Sequence, residues 1–163
     1  MDLKGCKITW LGERELSISG HVDEYADFSE LGPVAQQSLR VNFANVVRVN
    51  SSGIRAWIQF ILKHKIQLRL YECAPAVVDQ FSMIPEFLGK NGFVESFYAN
   101  YQCSACSFEE KKLFTYGKDY VAGSDQVLAP LSYTCPKCQG KVELDHSPEV
   151  YFAFLRLMQA SRN

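Results

Sequence analysis

Four cysteines, arranged in two pairs, are the residues of this sequence whose type and spacing are best suited to chemistry. Cys103-Ser-Ala-Cys106 and Cys135-Pro-Lys-Cys138 each separate two thiols by two residues. A tight turn with this spacing can direct both sulfurs at one ion, and two such turns complete a tetrahedral shell. The sequence therefore predicts that Cys103, Cys106, Cys135 and Cys138 bind one Zn²⁺ ion.

Two disulfides, a redox-active dithiol and an iron–sulfur site are the alternatives to zinc. A redox dithiol needs only one pair, usually at the start of a helix in a thioredoxin-like unit, and neither pair is placed so. A shell of four thiolates leaves no position for water or substrate, so the ion is expected to be structural. Gly140 follows the second pair, where a positive φ is expected. Cys6 and Cys73 are predicted to be core or partly exposed thiols.

The overall composition limits the classes of protein to which this chain can belong. The chain has 163 residues, of which 47% are hydrophobic and 21% charged, enough for a proper core. Its net charge of −1 provides no global positive field for nucleic acid or an anionic membrane. The N-terminus lacks the apolar run of a signal peptide, and the most apolar interior run, 54–62, is too short to span a bilayer. We therefore expect a cytoplasmic protein without a membrane span, whose cysteines stay reduced.

The cysteine-bearing segment, residues 101–147, is expected to form a zinc ribbon with an extended hairpin arm. Its charges argue against nucleic acid as a partner, because a phosphate-binding surface needs an excess of positive side chains. The lysines are outnumbered by acids: Lys111, Lys112, Lys118, Lys137 and Lys141 against Glu109, Glu110, Asp119, Asp125, Glu143 and Asp145.

Residues 1–100 alternate strand-like and helix-like patterns, which predicts an α/β domain. The clearest helix carries apolar residues at Ile54, Trp57, Ile58, Ile61 and Leu62. It lies between two predicted strands, which implies parallel pairing through a right-handed crossover. The predicted strands are 6–11, 14–19, 46–49, 66–71 and 93–98, and the other helices are 24–39 and 76–87, with breaks at Pro33 and Pro85.

The chain after residue 100 divides into the ribbon and a terminal amphipathic helix over 148–163. Ser147 is a suitable cap for this helix and Pro148 suits its first position. Its apolar residues predict packing against the body of the chain or, alternatively, a surface for a partner or homodimer. The ribbon strands are predicted at 112–116, 120–121 and 142–144, and the apolar residues of the helix are Val150, Tyr151, Phe154, Leu155 and Met158.

Two short segments of the first hundred residues resemble STAS domains, the anti-sigma factor antagonist family. Val49-Asn-Ser-Ser-Gly53, between an apolar strand and an apolar helix, is similar to the family's Asp-Ser-Ser-Gly turn. Ile18-Ser-Gly-His-Val-Asp23 is similar to its segment after the second strand. The resemblance covers residues 1–100 and implies a mixed sheet backed by helices. It also implies binding to an anti-sigma factor that is often a serine kinase, with phosphorylation of the turn serine breaking the complex.

Carried onto this chain, the resemblance makes Ser52 the phosphoacceptor, with Ser51 beside it. A helix N-terminus can accommodate a phosphate on its free backbone N–H groups. The alternative is that Ser51 or Ser52 is a plain N-cap and Gly53 only allows a tight entry. Asn50 departs from the family, which has an acidic residue there. The expected partner-binding residues are His21, Asp23, Asn50, Ser51, Ser52 and Gly53.

The predicted function is a regulator of bacterial signalling that acts by protein–protein interaction and has no enzymatic activity. Its expected partner is an anti-sigma factor, a serine kinase-like protein or another signalling protein. The alternative is an adaptor or scaffold that is never phosphorylated and uses the ribbon and terminal helix. His64 lies at a helix end, where a cation is favoured without any catalytic role. A zinc enzyme would need an open coordination position, and no common catalytic motif is present.

Overall fold

A computed structural model describes residues 5–31 and 38–158, which form an α/β fold with two sheets. The first sheet has the strand order β1-β2-β3-β4-β5. β1 is antiparallel to β2, and every other neighbouring pair is parallel. This mixed sheet confirms the predicted fold class. Its strands are β1 Cys6–Gly12, β2 Glu15–Val22, β3 Ser38–Val49, β4 Gln67–Tyr71 and β5 Phe93–Val94.

The second sheet is antiparallel, with the order β7-β6-β9-β8, and carries the cysteine pairs. Its strands are β6 Ser96–Cys103, β7 Glu109–Thr115, β8 Ser132–Thr134 and β9 Lys141–Leu144. The α-helices are α1 Ser51–His64, α2 Pro75–Met83 and α3 Pro148–Tyr151, and short 3₁₀ helices cover Phe28–Leu31, Pro85–Leu88 and Ala153–Leu157. None of the helices in the described ranges is long and apolar enough to cross a membrane.

Helix α1 connects β3 to the parallel strand β4, as its pattern predicted. The Trp57 ring lies 5.5 Å from that of Phe43 on β3, and its indole N–H donates to the Phe87 carbonyl at 3.0 Å. The buried stripe differs from the predicted one, because Phe60 faces the core whereas Leu62 is 69% exposed. The helix thus packs on the sheet through a face slightly rotated from that prediction.

The other face of the first sheet is polar and crossed by charged side chains. The Arg40 guanidinium lies 3.7 Å from the centre of the Tyr71 ring and donates to Glu15 at 2.7 Å. It also donates to Glu95 at 2.9 Å, and Glu95 accepts a second bond from Arg69 at 2.7 Å. These side chains thus form a chain of ion pairs across this face of the sheet.

The predicted helix over 24–39 is wrong in the described part. Only Phe28–Leu31 is helical, as a 3₁₀ turn, and the chain is already in β3 at Ser38. Residues 32–37, with Pro33, lie outside the described residues. β3 is far longer than predicted because Leu39, Val41 and Phe43 alternate toward the core across the whole pairing with β4.

The predicted strand 93–98 is divided between the two sheets. Phe93 and Val94 pair with β4, whereas the chain from Ser96 onward pairs with β7. Glu95 lies between them, and its backbone N–H donates to Leu70 while its carbonyl accepts from Tyr116. Residue 100, the predicted domain boundary, therefore lies inside β6.

The terminal segment packs against the body of the chain but is not the long helix that its pattern predicted. α3 ends at Tyr151, and Ala153–Leu157 continues as a 3₁₀ helix, while the residues after 158 lie outside the described range. The Tyr151 hydroxyl donates to the Tyr98 carbonyl at 2.5 Å, and the Phe152 ring stacks on Phe114 at 5.7 Å. Aromatic rings encircle this segment because the second sheet and α2 both contact it.

His146 lies between the second sheet and the terminal segment, and it is predicted to make the stability of the fold depend on pH. Its Nε2 accepts the Asn100 backbone N–H at 3.1 Å, so the ring must be neutral at that atom, and it stacks on Tyr151 at 3.9 Å. Burial lowers the His146 pKa, although Asp79 and Asp145 oppose the shift. Because folding favours the neutral ring, this contribution to stability is present above about pH 6.5 and is lost as the pH falls through the lowered pKa.

The measurement is the free energy of unfolding in urea between pH 8 and pH 5. His146→Phe keeps an aromatic ring against Tyr151 but cannot titrate, so its loss of stability on acidification should be smaller. An equal slope in the variant and the native protein would show that other groups cause the acid sensitivity.

Candidate metal centre and serine turn

The four paired cysteines meet at one end of the second sheet. Their sulfur atoms all lie within 4.8 Å of one another. Cys103 Sγ and Cys138 Sγ are 3.5 Å apart, and Cys106 Sγ and Cys135 Sγ are 3.7 Å apart. A tetrahedral shell with metal–sulfur bonds near 2.3 Å places its sulfurs about 3.8 Å apart. The cluster therefore has the size and donor set of a site that could bind a metal ion.

Every sulfur of this cluster accepts one backbone N–H from the residue two positions along the chain. The donors are Ala105, Phe108, Lys137 and Gly140, at 3.3 to 3.4 Å. Hydrogen bonds to sulfur favour the thiolate, which is the form that binds metal. The Ala105 N–H is the main reason that the pKa of Cys103 falls to about 7.

The neighbouring thiols oppose the loss of a proton from Cys138. The Gly140 N–H lowers the pKa of Cys138, but the neighbouring Cys103 thiol and burial outweigh this effect and raise that pKa to about 12. A bound divalent cation removes this conflict, because it favours the deprotonated form of each ligand. All six cysteines lie in the described residues and are free thiols, so the alternative of two disulfides is not formed.

Gly140 serves the cluster in a different way from the predicted one. The residue with positive φ is Gln139, at 60°, and not Gly140. A Cβ on Gly140 would lie 3.0 Å from the Ala105 Cβ and 3.1 Å from Cys138 Sγ. Gly140 is thus required for space, because a side chain would push the two cysteine turns apart.

The serine turn opens helix α1, and its cap is Asn50. The Asn50 Oδ1 accepts the Gly53 N–H at 2.9 Å, so the alternative that Ser51 or Ser52 is the plain N-cap is wrong. Both serines are exposed in the first turn. Within the described residues neither serine hydroxyl has a hydrogen-bond partner. The asparagine therefore leaves both hydroxyls available for other chemistry.

The amide nitrogen of Asn50 contacts the loop after β2. Its Nδ2 donates to Glu24 Oε2 at 2.8 Å, a contact that we call the Glu24–Asn50 bridge. The loop is itself a turn in which Asp23 Oδ1 accepts the Tyr25 N–H at 3.0 Å. Tyr25 projects from it with 78% of its surface exposed. Sequence reasoning missed Glu24, whose only signal was an acidic side chain next to Asp23.

The close approach of α1 to β2 depends on Gly53. A Cβ on this residue would lie 2.0 Å from the Val22 carbonyl oxygen and 2.3 Å from its carbon. The Val22 carbonyl also accepts the Asn50 N–H at 3.0 Å, which fixes the start of the helix beside the end of β2. The turn and the β2 loop are therefore neighbours because of backbone contacts.

His21 lies next to the serine turn in the fold but lines a neighbouring cleft. Its backbone pairs with β3 beside Arg48, one residue before Val22 pairs with Val49. The side chain lines a cleft of about 1070 Å³, together with Lys7, Asn45 and Lys111. Of the expected partner-binding residues, Asp23, Asn50, Ser51, Ser52 and Gly53 thus lie at one corner, and His21 faces the neighbouring cleft.

We expect Asn50→Ala to destabilise the fold by about 1 kcal/mol, because it removes the side chain that caps the first turn of α1. Asn50→Asp retains an oxygen acceptor and should therefore lower the stability of the fold much less. Urea unfolding of both variants measures the difference. Equal losses for alanine and aspartate would contradict the assignment of Asn50 Oδ1 as the cap.

Comparison with known proteins leaves the site to be interpreted from its own geometry. No protein-family model, no curated protein and no solved structure matches this chain.

Proposed function

We propose that the protein is a signalling regulator that binds a partner protein through the corner formed by the α1 turn and the β2 loop, in the manner of an anti-sigma factor antagonist. The observation that carries this proposal is the exposed pair Ser51 and Ser52, which Asn50 releases from capping. Tyr25 adds an exposed aromatic ring on the adjacent loop, and aromatic side chains are enriched where proteins bind one another. The resemblance of this turn to STAS domains supports the same function.

Phosphorylation of Ser52 would control this contact. The Ser52 Oγ bonds to the γ-phosphorus of ATP, the bond to the β,γ-bridging oxygen breaks, and ADP leaves. The hydroxyl proton passes to a base of the kinase. The added charge changes a docking surface strongly while the fold beneath it is retained. The acidic residue that STAS domains carry at the cap is Asn50 here, but the Glu24–Asn50 bridge brings a carboxylate to the same corner.

Zinc is the ion that we propose for the cysteine cluster, with a structural role. Four sulfur donors in a tetrahedral arrangement suit Zn²⁺ or iron, and the closed shell has no position for a substrate. Metal analysis of the purified chain should find one zinc per molecule without the visible absorption of an iron–sulfur site. Iron in its place, or no metal, would contradict this assignment.

The test of the regulator function is site-specific cross-linking in the native host. A photo-reactive amino acid at Tyr25 should capture a discrete partner, whereas the same group at Leu128, which is 62% exposed in the second half of the chain, should not. Phosphopeptide analysis of the same cells should find phosphate on Ser52, and Ser52→Ala should remove it. Ser52→Glu should weaken the cross-link.

An adaptor that is never phosphorylated is the second candidate, and it is favoured by Asn50 in place of an acidic residue. It binds its partner through the ribbon and the terminal helix, so it predicts a cross-link from Leu128 rather than from Tyr25, and no phosphate on Ser51 or Ser52 under any growth condition. Cross-links from Leu128 alone would contradict the regulator and support this adaptor, because the contact would then lie on the ribbon half of the chain.

A further inference from the structure

The Asn50 side chain joins two parts of the candidate contact surface that are distant in sequence. Its Oδ1 accepts the Gly53 N–H and so caps α1. Its Nδ2 donates to Glu24, which belongs to the turn Asp23–Ala26. The turn has two internal hydrogen bonds, from the N–H groups of Tyr25 and Ala26 to Asp23. The Glu24–Asn50 bridge is the side-chain hydrogen bond that fixes this turn on the helix.

Glu24 is negatively charged in this bridge. The hydrogen bond from Asn50 is the main cause that lowers the Glu24 pKa, and the nearby Arg48 adds to it. The carboxylate is exposed and lies at the positive end of the α1 dipole, which also favours its charge. A negative group therefore already occupies the space beside the N-terminal turn that carries Ser51 and Ser52.

We infer that a phosphate on Ser52 breaks the Glu24–Asn50 bridge and releases the Asp23–Ala26 turn from α1. This inference rests on the proposed phosphorylation and adds what the modification does to the surface. A phosphoserine carries nearly two negative charges at neutral pH and has three acceptor oxygens. Asn50 is two residues before Ser52, so the phosphate is within a Debye length of the Glu24 carboxylate and repels it.

The phosphate also competes with the Glu24 carboxylate for the groups that stabilise its charge. It accepts from the free N–H groups of the first turn of α1, and it attracts Arg48, whose charge now lowers the Glu24 pKa. α1 itself stays capped, because Asn50 Oδ1 keeps its bond to Gly53. The modification therefore changes the position of Tyr25 while the helix and the sheet beneath it are retained.

The experiment uses the full chain with phosphoserine placed at position 52 by codon suppression, so that no kinase is needed. Amide hydrogen exchange at Tyr25 and Ala26 should become at least about tenfold faster than in the unmodified chain, as for a locally opened turn. The side-chain NH₂ resonances of Asn50 should shift in the same sample, because Nδ2 loses its carboxylate acceptor.

Glu24→Gln is the matched control, since its side-chain oxygen still accepts from Asn50 but carries no charge. Phosphoserine at position 52 should leave Tyr25 exchange in this variant within about twofold of its unmodified value. Asn50→Asp retains the cap and removes the donor, so it should accelerate Tyr25 exchange without phosphate. Unchanged exchange in the phosphorylated native sequence, or an equal response in Glu24→Gln, would overturn the inference.

These outcomes are separate from those of the proposed function. Absence of phosphate on Ser52 in cells counts against the phosphorylated regulator, while the exchange data still decide whether charge at Ser52 releases the turn. A released turn with no cross-link from Tyr25 supports the coupling and contradicts the partner surface.

Discussion

Replacing Gly53 with alanine is expected to lower the free energy of unfolding by roughly 3 kcal/mol or more, which is large for a single methyl group. The new Cβ would lie 2.0 Å from the Val22 carbonyl oxygen and 2.8 Å from the Asp23 backbone nitrogen. All of these atoms belong to the backbone, so relief requires α1 to move away from β2. Urea unfolding followed by circular dichroism measures the loss.

Gly12→Ala is the matched control for this variant. The nearest atom to its Cβ is the Glu15 Cβ, at an ordinary contact distance of 3.9 Å, and its φ lies outside the left-handed region. It should therefore change stability by less than about 1 kcal/mol. A Gly53→Ala protein as stable as Gly12→Ala would mean that α1 does not pack this closely on the end of β2.

Cys135→Ser is expected to abolish metal binding and to destabilise the metal-binding end of the second sheet by roughly 4 kcal/mol or more. Cys135 is 1% exposed, so its replacement leaves a hydroxyl buried among three thiols as well as an incomplete shell. Metal analysis and regional hydrogen exchange are the measurements. Exchange should rise in β8 and β9, which are short and are joined to the sheet near the cysteines.

The first sheet and α1 should stay folded in Cys135→Ser, because the packing between them, such as that of Trp57 on Phe43, involves none of the four cysteines. Cys6→Ser is the control: Cys6 is half-buried in β1 and is not one of the clustered thiols, so metal content should be unchanged. Loss of all structure from Cys135→Ser in one cooperative step would show that the metal stabilises the entire chain rather than its end.

Local signals in the sequence were sufficient for the elements whose partners are close in the chain. The sequence predicted strands at 6–11 and 14–19, which correspond to β1 and β2, and helical periodicity with flanking strands predicted α1 and the parallel crossover. The cysteine spacing predicted a cluster that the structure confirms as a possible metal site. In each case a short repeat or a fixed spacing carries the information.

The predictions from the sequence were wrong where tertiary contacts determine the secondary structure. Leu39 fits the end of a helical pattern but lies in β3, because pairing with β4 outweighs local preference. The strand at 93–98 changes sheets at Glu95, where two arginines from the first sheet bind the carboxylate. Val150 belongs to the predicted stripe but is exposed, since α3 ends after a single turn.

The site contains two misinterpretations of the same kind. Ser51 and Ser52 are good capping residues, but Asn50 precedes them and its side chain reaches Gly53 first. Gly53 and Gly140 were assigned backbone roles, whereas both are required because neighbouring atoms leave no room for a Cβ. The roles of the two glycines depend on segments remote in sequence, Val22 for Gly53 and Ala105 for Gly140, and no local pattern records them.

The course of β6 has a consequence for how this chain can be shortened or recombined. The strand begins one residue after β5 leaves the first sheet, and Phe97 near its start packs on Phe114 and Phe154 from later in the chain. A chain that ends at Asn100 would keep half of β6 without its neighbours and expose this aromatic cluster to water. The ribbon is therefore not a detachable module: a relative that lacked it would need different residues at Phe97, Ala99 and Tyr101 to remain soluble.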